Sequence, residues 1–185
     1  MERIPHGEIG IELLNARYDL APFDAGKDSD DDELDDFLKH DALEEQRLLL
    51  SKTHLCFYRD RIAGFITLAA DSVRLAELNE SQHVEGRDYR AYPCILIARM
   101  AVDEHLHGRG IGSFLLSLAI GFALDGPLGC RYLCVDPKKK AVDFFKKFGF
   151  NYWTRSSRRM YLNMQDVAQQ MQFGESLDYW STKEE

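Results

Sequence analysis

Several things are missing from this 185-residue chain, and each absence excludes a class. The longest apolar run, Phe114 to Leu124, is broken by Ser117 and is too short to span a bilayer, which takes about 20 apolar residues. The N-terminus MERIPHGEIG has no apolar h-region, so no secretory signal is expected and the protein is expected to be cytoplasmic, with no membrane partner. Cysteine is scarce: Cys56, Cys94, Cys130 and Cys134 form no CxxC pair and no histidine cluster accompanies them. They fall in expected strands, and core thiols are a better reading than a zinc site, so no metal is expected. Internal repeats and low-complexity linkers are lacking too. Positive charge is short, with a formal net charge of −8, which argues against general affinity for nucleic acid.

What is present is ordinary for a globular protein: 45% apolar and 29% charged residues. The length suits one domain with a substantial core, expected over residues 1–165, followed by a C-terminal helix and tail over 166–185. Charge is unevenly placed. Residues 1–50 carry fifteen Asp/Glu against five Lys/Arg, a local −10. Residues 131–160 carry nine Lys/Arg against Asp136 and Asp143, a local +7, so a basic face survives the acidic total.

Hydrophobic periodicity places the elements. Ile9 to Leu14 is an expected strand. The Asp run from Asp28 to Asp32 is a solvated loop ahead of a helix from Glu33, which has Leu34, Phe37, Leu38, Ala42 and Leu43 at helical spacing. Thr53, Leu55 and Phe57 alternate with His54, Cys56 and Tyr58, and the turn Arg59-Asp60-Arg61 returns the chain into a second hairpin strand. Residues 76–91 are polar and unpatterned, either a substrate lid or a disordered insertion. Further on, CRYLCVD is a strand, KKKAVDFFKKFGF a short helix ended by Gly149, NYWTR and RRMYLNM a hairpin, and QDVAQQMQF a last helix.

The stretch from Ile95 to Ser113, ILIARMAVDEHLHGRGIGS, is the most informative. Its first part, to Val102, is a buried strand, and a turn with Gly108, Gly110 and Gly112 follows. An apolar helix comes next, stopped by Asp125-Gly126-Pro127 and apolar enough to be packed on both sides. Strand, glycine turn and helix together aim backbone N–H groups and the positive helix end at one point, which suits a phosphate. The spacing matches neither the dinucleotide fingerprint G-x-G-x-x-G nor a Walker loop.

The run M-A-V-D…H-G-R-G-I-G-S resembles the acetyl-CoA pyrophosphate loop of the GNAT acetyltransferases, Q/R-x-x-G-x-G/A, with His107 where Gln or Arg is usual. VDPKKKAVDFFKKFGF resembles the second signature of that family through Ala141, Phe144, Gly149 and Phe150. The N-terminal pattern F-D-A-G…L-x-x-F-L…A-L-x-x-Q, with G-F-I-T-L-A-A-D-S-V and A-R-M-A-V-D, resembles the GNAT toxins of bacterial toxin–antitoxin pairs. This resemblance covers roughly Phe23 to Phe150. It implies an α/β (α+β) GNAT fold: a mixed, strongly twisted sheet of six to seven strands with helices on both faces. It also implies acetyl-CoA as cofactor and an amine as acceptor. The partners implied are charged tRNA, whose α-amine those toxins acetylate, and a ribbon-helix-helix antitoxin; a homodimer is a further expectation.

By position, the resemblance assigns the backbone of Met100, Ala101 and Val102 to the pantetheine arm, as an added strand. It assigns His107, Gly108, Arg109, Gly110, Ile111, Gly112 and Ser113 to the pyrophosphate. Lys138, Ala141 and Phe144 complete the cofactor set, Lys138 replacing the usual Asn and, with Lys139 and Lys140, meeting either phosphate or plain solvent. Two departures stand out: Ala25 replaces the cysteine common in the toxins, and Phe145 replaces the tyrosine that protonates the departing thiolate. Tyr132 and Tyr152 are the candidate substitute acids. Asp103, Glu104 and His105 sit at the strand exit, as an amine anchor or as turn-surface charge. Three readings stay open: an N-acetyltransferase acting on a small amine or protein N-terminus, the same chemistry on charged tRNA, or an acyl-CoA-binding pseudo-enzyme.

Overall fold

Among the described residues, short β-branched and aromatic runs separated by polar turns form seven strands: β1 (Ile9–Leu13), β2 (Lys52–Tyr58), β3 (Arg61–Arg74), β4 (Ala91–Val102), β5 (Tyr132–Val135), β6 (Asn151–Tyr152) and β7 (Met160–Asn163). Among the same residues five α-helices accompany them: α1 (Ser29–Asp36), α2 (Ala42–Arg47), α3 (Ile111–Asp125), α4 (Val142–Lys147) and α5 (Met164–Gln172). This computed structural model describes residues 2–26, 29–78, 82–87, 89–154 and 157–172. One sheet takes the order β1-β2-β3-β4-β5-β7-β6, and β1/β2, β2/β3, β5/β7 and β6/β7 pair antiparallel. The mixed α/β class and the strand number agree with the expectation from sequence.

The chain groups into two compact units, Met1–Ala69 with Ile97–Leu118, and Ala70–Leu96 with Ala119–Glu185. In the first unit Leu14, Phe23, Phe37, Leu38, Leu55, Phe65 and Ala101 form the core. The β2–β3 turn is tight: Arg59 and Asp60 both take positive φ, 49° and 61°, the conformation a two-residue type I′ hairpin requires. Register shifts between Cys56 and Phe57. The extra residue is Ala63 on β3, left without a partner between Gly64 opposite Cys56 and Ile62 opposite Phe57. Thr53 and Leu55 are buried ahead of the shift, but Tyr58 rather than Phe57 is buried after it, so simple alternation fails over the last three residues.

The helix expected from Glu33 begins earlier, at Ser29, and passes through a π-helical stretch, Phe37–Asp41, before α2. Widening the turn lets the consecutive Phe37 and Leu38 both face the core.

The core of the second unit is Val73, Tyr92, Cys94, Tyr132, Cys134 and Trp153. Trp153 stacks on Tyr161 with centroids 4.0 Å apart, and Tyr132 meets both rings edge-on at 5.0 and 5.6 Å. Tyrosine hydroxyls then pin part of the polar stretch after β3. Val84 N–H donates to the Tyr92 hydroxyl at 2.9 Å, the Gln82 side-chain amide donates to Tyr161 at 2.6 Å, and the Tyr132 hydroxyl donates to the Gln82 carbonyl at 2.9 Å. Residues 79–81 and 88 of that stretch lie outside the described residues.

The cysteines are free thiols, and Cys130 stands before β5 rather than within a strand. Burial pushes the Cys56 thiol up to about 12. Cys134 is raised by its hydrogen bond with Cys94 and then by burial. On α3, Leu115, Leu116, Ala119, Ile120 and Ala123 are buried, but Phe122 is exposed. The tail expected after α5, residues 173–185, lies outside the described residues. Among those described, no helix is long and apolar enough to cross a membrane.

Candidate functional site

In the first unit the strand β4 ends at Val102 and the chain is caught at once. Asp103 N–H donates to the Ala63 carbonyl on β3 at 3.0 Å, and Glu104 N–H to the Asp24 carbonyl at 2.8 Å. The Asp103 side chain, 4% exposed, accepts the His105 N–H at 3.1 Å and caps a single 3-10 turn, Glu104–Leu106. Asp103 is therefore a structural cap, which favours neither the anchor nor the solvent-charge reading for it. The F-D-A-G motif serves the same purpose: Asp24 accepts the Gly26 N–H at 2.9 Å and Asp35 the Ala25 N–H at 3.0 Å. Desolvation raises the Asp35 carboxyl above its usual range.

The turn then bends through Gly108 (φ 71°) and Gly110 (φ 86°). A Cβ at Gly108 would meet nothing within 4 Å, and one at Gly110 only the Arg3 Cγ at 4.0 Å. Backbone conformation, not space, demands these glycines, because a left-handed φ strains any residue with a Cβ. Phe114 N–H donates to the Gly110 carbonyl at 3.0 Å and closes the first turn of α3. The N–H groups of Ile111 and Gly112 precede that bond, as the first donors of any helix do. No acidic residue lies in this first turn, so nothing competes there for the positive helix end. Ser113 is buried. Geometry and charge both fit a phosphate group.

Side chains of this loop turn away to other work. His107 Nε2 donates to the Val102 carbonyl at 2.9 Å. Arg109 Nε donates to the Glu2 carbonyl at 3.2 Å, and its guanidinium lies 5.4 Å from the Tyr58 ring centroid. What the loop offers a ligand is chiefly its backbone. Sequence reasoning missed Gly64 on β3, where a Cβ would sit 2.8 Å from the Ala101 carbonyl oxygen and 3.1–3.2 Å from Leu115 and Ile111. A glycine inside a strand was the available signal for so close an approach. It sets β3 directly against the end of β4 and the start of α3.

In the second unit Lys138 precedes a 3-10 turn, Lys139–Ala141, that leads into α4. The end of α4 is a Schellman motif: Gly149 (φ 83°) N–H donates to the Lys146 carbonyl at 3.0 Å and Phe150 N–H to the Phe145 carbonyl at 3.2 Å. The apolar contact that accompanies such motifs is present, with Phe145 and Phe150 ring centroids 5.3 Å apart. Phe145 is 3% exposed and meets Phe144 edge-on at 5.2 Å. The two candidate acids differ. Tyr132 is 0% exposed, already donates to Gln82, and burial raises its phenol above the usual value; Tyr152 is 38% exposed, with the Lys146 ammonium 5.9 Å from its ring centroid.

The basic face is weaker than the charge count implied. Arg159 donates to Asp71 at 2.8 Å and to Asp136 at 2.9 Å, the latter pairing being the main cause of its raised pKa. Lys139, Lys140, Lys146 and Lys147 remain exposed, and Arg155 lies outside the described residues.

A glycine-bent loop between a strand and an apolar helix, on a seven-stranded sheet, defines an α/β protein with a backbone anion site. Residues 12–150 match the acetyltransferase (GNAT) family, and the chain belongs to that family: it is an acetyltransferase and its acetyl donor is acetyl-CoA. The tRNA-acetylating toxin of Mycobacterium tuberculosis is 31% identical over 152 residues, 80% of this chain and 88% of the toxin. Among solved structures, AtaT complexed with acetyl-methionyl-tRNAfMet matches with TM-score 0.78 at 23% identity, over 88% of this chain and 99% of that one. A Tyr-to-Phe mutant of KacT gives 0.77 at 22% identity, over 88% and 99%. A Tyr-to-Phe mutant of the AtaT toxin, bound to the C-terminus of the antitoxin AtaR and acetyl-CoA, gives 0.72 at 23% identity, over 89% and 98%.

Proposed function

We propose that the chain acetylates the α-amine of aminoacyl-tRNA. The observation that carries this reading is the 31% identity to the tRNA-acetylating toxin over 80% of the chain. The chemistry agrees. An attacking amine must be neutral, and removing the proton from a lysine of pKa about 10.4 near neutral pH costs roughly 4 kcal/mol, whereas an α-amine of pKa about 7.7–8.0 costs well under about 1 kcal/mol. Asp103, the carboxylate at the exit of β4, is engaged as a backbone cap, and a site that leans on no strong base suits the easier amine.

When bound, acetyl-CoA supplies an acetyl group activated as a thioester. The family resemblance assigns the backbone of Gly108 to Gly112 to the pyrophosphate, the backbone of Met100 to Val102 to the pantetheine, and Lys138, Ala141 and Phe144 to the same cofactor. As the amine nitrogen bonds to the acetyl carbon and the carbon–sulfur bond breaks, the nitrogen would release one proton to solvent and the departing thiolate would take one up. Phe145 has none to give. Of the two tyrosines we retain Tyr152, whose phenol is open to solvent; the Tyr132 hydroxyl is enclosed and already engaged.

A Tyr-to-Phe mutant of AtaT has been solved bound to the C-terminus of the antitoxin AtaR, and we propose a ribbon-helix-helix antitoxin as partner here; the test is whether a reading frame beside this one encodes such a protein. Incubation with labelled acetyl-CoA and a mixed pool of charged tRNA tests the activity. Label in the RNA is the expected result, with binding that weakens steeply as salt is added; a flat salt response counts against the tRNA. Phe145 favours one second reading, an acyl-CoA binder of impaired catalysis. Saturable acetyl-CoA binding without transfer to tRNA, small amines or protein N-termini would establish that instead.

A further inference from the structure

We propose that residues Glu2 to His6 form a clasp holding the phosphate-binding loop in its binding shape, with Ile4 as the positioning residue. This rests on the reading of that loop as the pyrophosphate site. The clasp grips Arg109, the residue between the two left-handed glycines, at two points. Ile4 N–H donates to the Arg109 carbonyl at 3.1 Å, and Arg109 Nε donates back to the Glu2 carbonyl at 3.2 Å. Ile4 itself is 3% exposed although it lies outside any strand or helix, so an apolar anchor fastens the pair of bonds. Pro5 follows in extended conformation (φ −60°, ψ 136°), and its ring removes freedom from the segment. His6 then meets the Phe114 ring edge-on at 5.2 Å, which ties the clasp to the first turn of α3.

The physical need is clear from the loop. Gly108 and Gly110 give it the required φ but also more freedom than any other residue type would. A ligand that had to order the loop would lose affinity to that ordering, and a preformed shape avoids the loss. The clasp also explains why Arg109 points away from the loop mouth: its guanidinium is a fastener, lodged between the Glu2 carbonyl and the Tyr58 ring.

The test compares a ligand that carries the pyrophosphate and its 3′-phosphoadenosine with one that ends before them. Affinity for acetyl-CoA and for S-acetylpantetheine, which ends before the pyrophosphate, is measured by calorimetry on the full chain and on Ile4→Ala and Ile4→Val. Thermal unfolding without ligand is followed in parallel. Ile4→Ala should weaken acetyl-CoA about tenfold or more and leave S-acetylpantetheine within about twofold, while Ile4→Val stays near wild type. Ile4→Thr, of the shape of valine, serves the same comparison if the alanine variant does not fold. Unchanged acetyl-CoA affinity would overturn the clasp, and equal weakening of both ligands would reduce Ile4 to a general packing residue. Wild-type protein that binds both ligands equally tightly would overturn the pyrophosphate reading itself, a result separate from failure of the clasp.

Discussion

Between β4 and α3 the first unit works through its backbone, whereas around α4 the second unit works through rings. In the loop Asp103–Ser113 two glycine φ angles set the course of the backbone, and the side chains of His107 and Arg109 are turned to internal bonds. Around α4, Phe144, Phe145, Phe148 and Phe150 pack on one another, and the one position where the family resemblance calls for a reactive hydroxyl holds a phenylalanine. A backbone site tolerates changes in side chain, such as His107 for the usual Gln or Arg. A side-chain site does not, because a proton donor resides in a single group. The proposed binding and catalytic roles therefore predict separable effects, and substitutions on each side sharpen the contrast.

The largest effect is expected from Phe145→Tyr. Restoring a positioned acid should raise turnover by about 10²–10⁴-fold, the usual contribution of such a group, read as coenzyme A release with charged tRNA present. An unchanged rate would show that the thiolate finds its proton elsewhere, and Tyr152→Phe would then be the variant that slows it. Next is Gly110→Asp, which combines left-handed strain of about 1–2 kcal/mol with negative charge at an anion site. Acetyl-CoA affinity should fall about 100-fold by calorimetry, and an unaltered affinity would break the assignment of the loop.

Gly64→Ala acts one step back, through the strand that supports the loop. Its Cβ would lie 2.8 Å from the Ala101 carbonyl oxygen, and forcing a methyl into filled space costs about 1–3 kcal/mol, to be seen as a lower urea midpoint.

The smallest effect concerns pH. Burial, followed by the charge of Lys52, holds His54 below its usual 6.5. Its folded pKa is depressed, so the unfolded chain binds more protons just below 6.5 and stability rises with pH across that window. His54→Gln should flatten the pH dependence of the urea midpoint there; a slope unchanged by the substitution would place its origin in other groups.

Much of the loop was legible because its causes are local. Positive φ selects glycine, a helix start exposes N–H groups, and an apolar run followed by Asp125-Gly126-Pro127 marks both ends of α3, which spans Ile111–Asp125 as expected. The same holds for the Schellman end of α4 at Gly149 and for the missing hydroxyl at Phe145. The errors arose where the cause is distant in sequence. Alternation along β2 could not foresee the shift at Cys56 and Phe57, because the extra residue, Ala63, belongs to the partner strand β3. The local +7 counted Arg159 as a free cation, yet Asp71, 88 residues away, and Asp136 hold it.

By itself, then, the sequence determined the element types, the glycine turn ahead of α3, the family and the absence of a tyrosine at position 145, since each follows from residue chemistry within a few positions. Only the tertiary structure decided which groups are spent and which remain available. It enclosed Tyr132 and left Tyr152 open, gave Arg109 to Glu2 and Ile4, and made Asp103 a cap. The reason is physical: a hydrogen-bonding group has the same capacity in any chain, but its partner is chosen by packing that brings distant segments together.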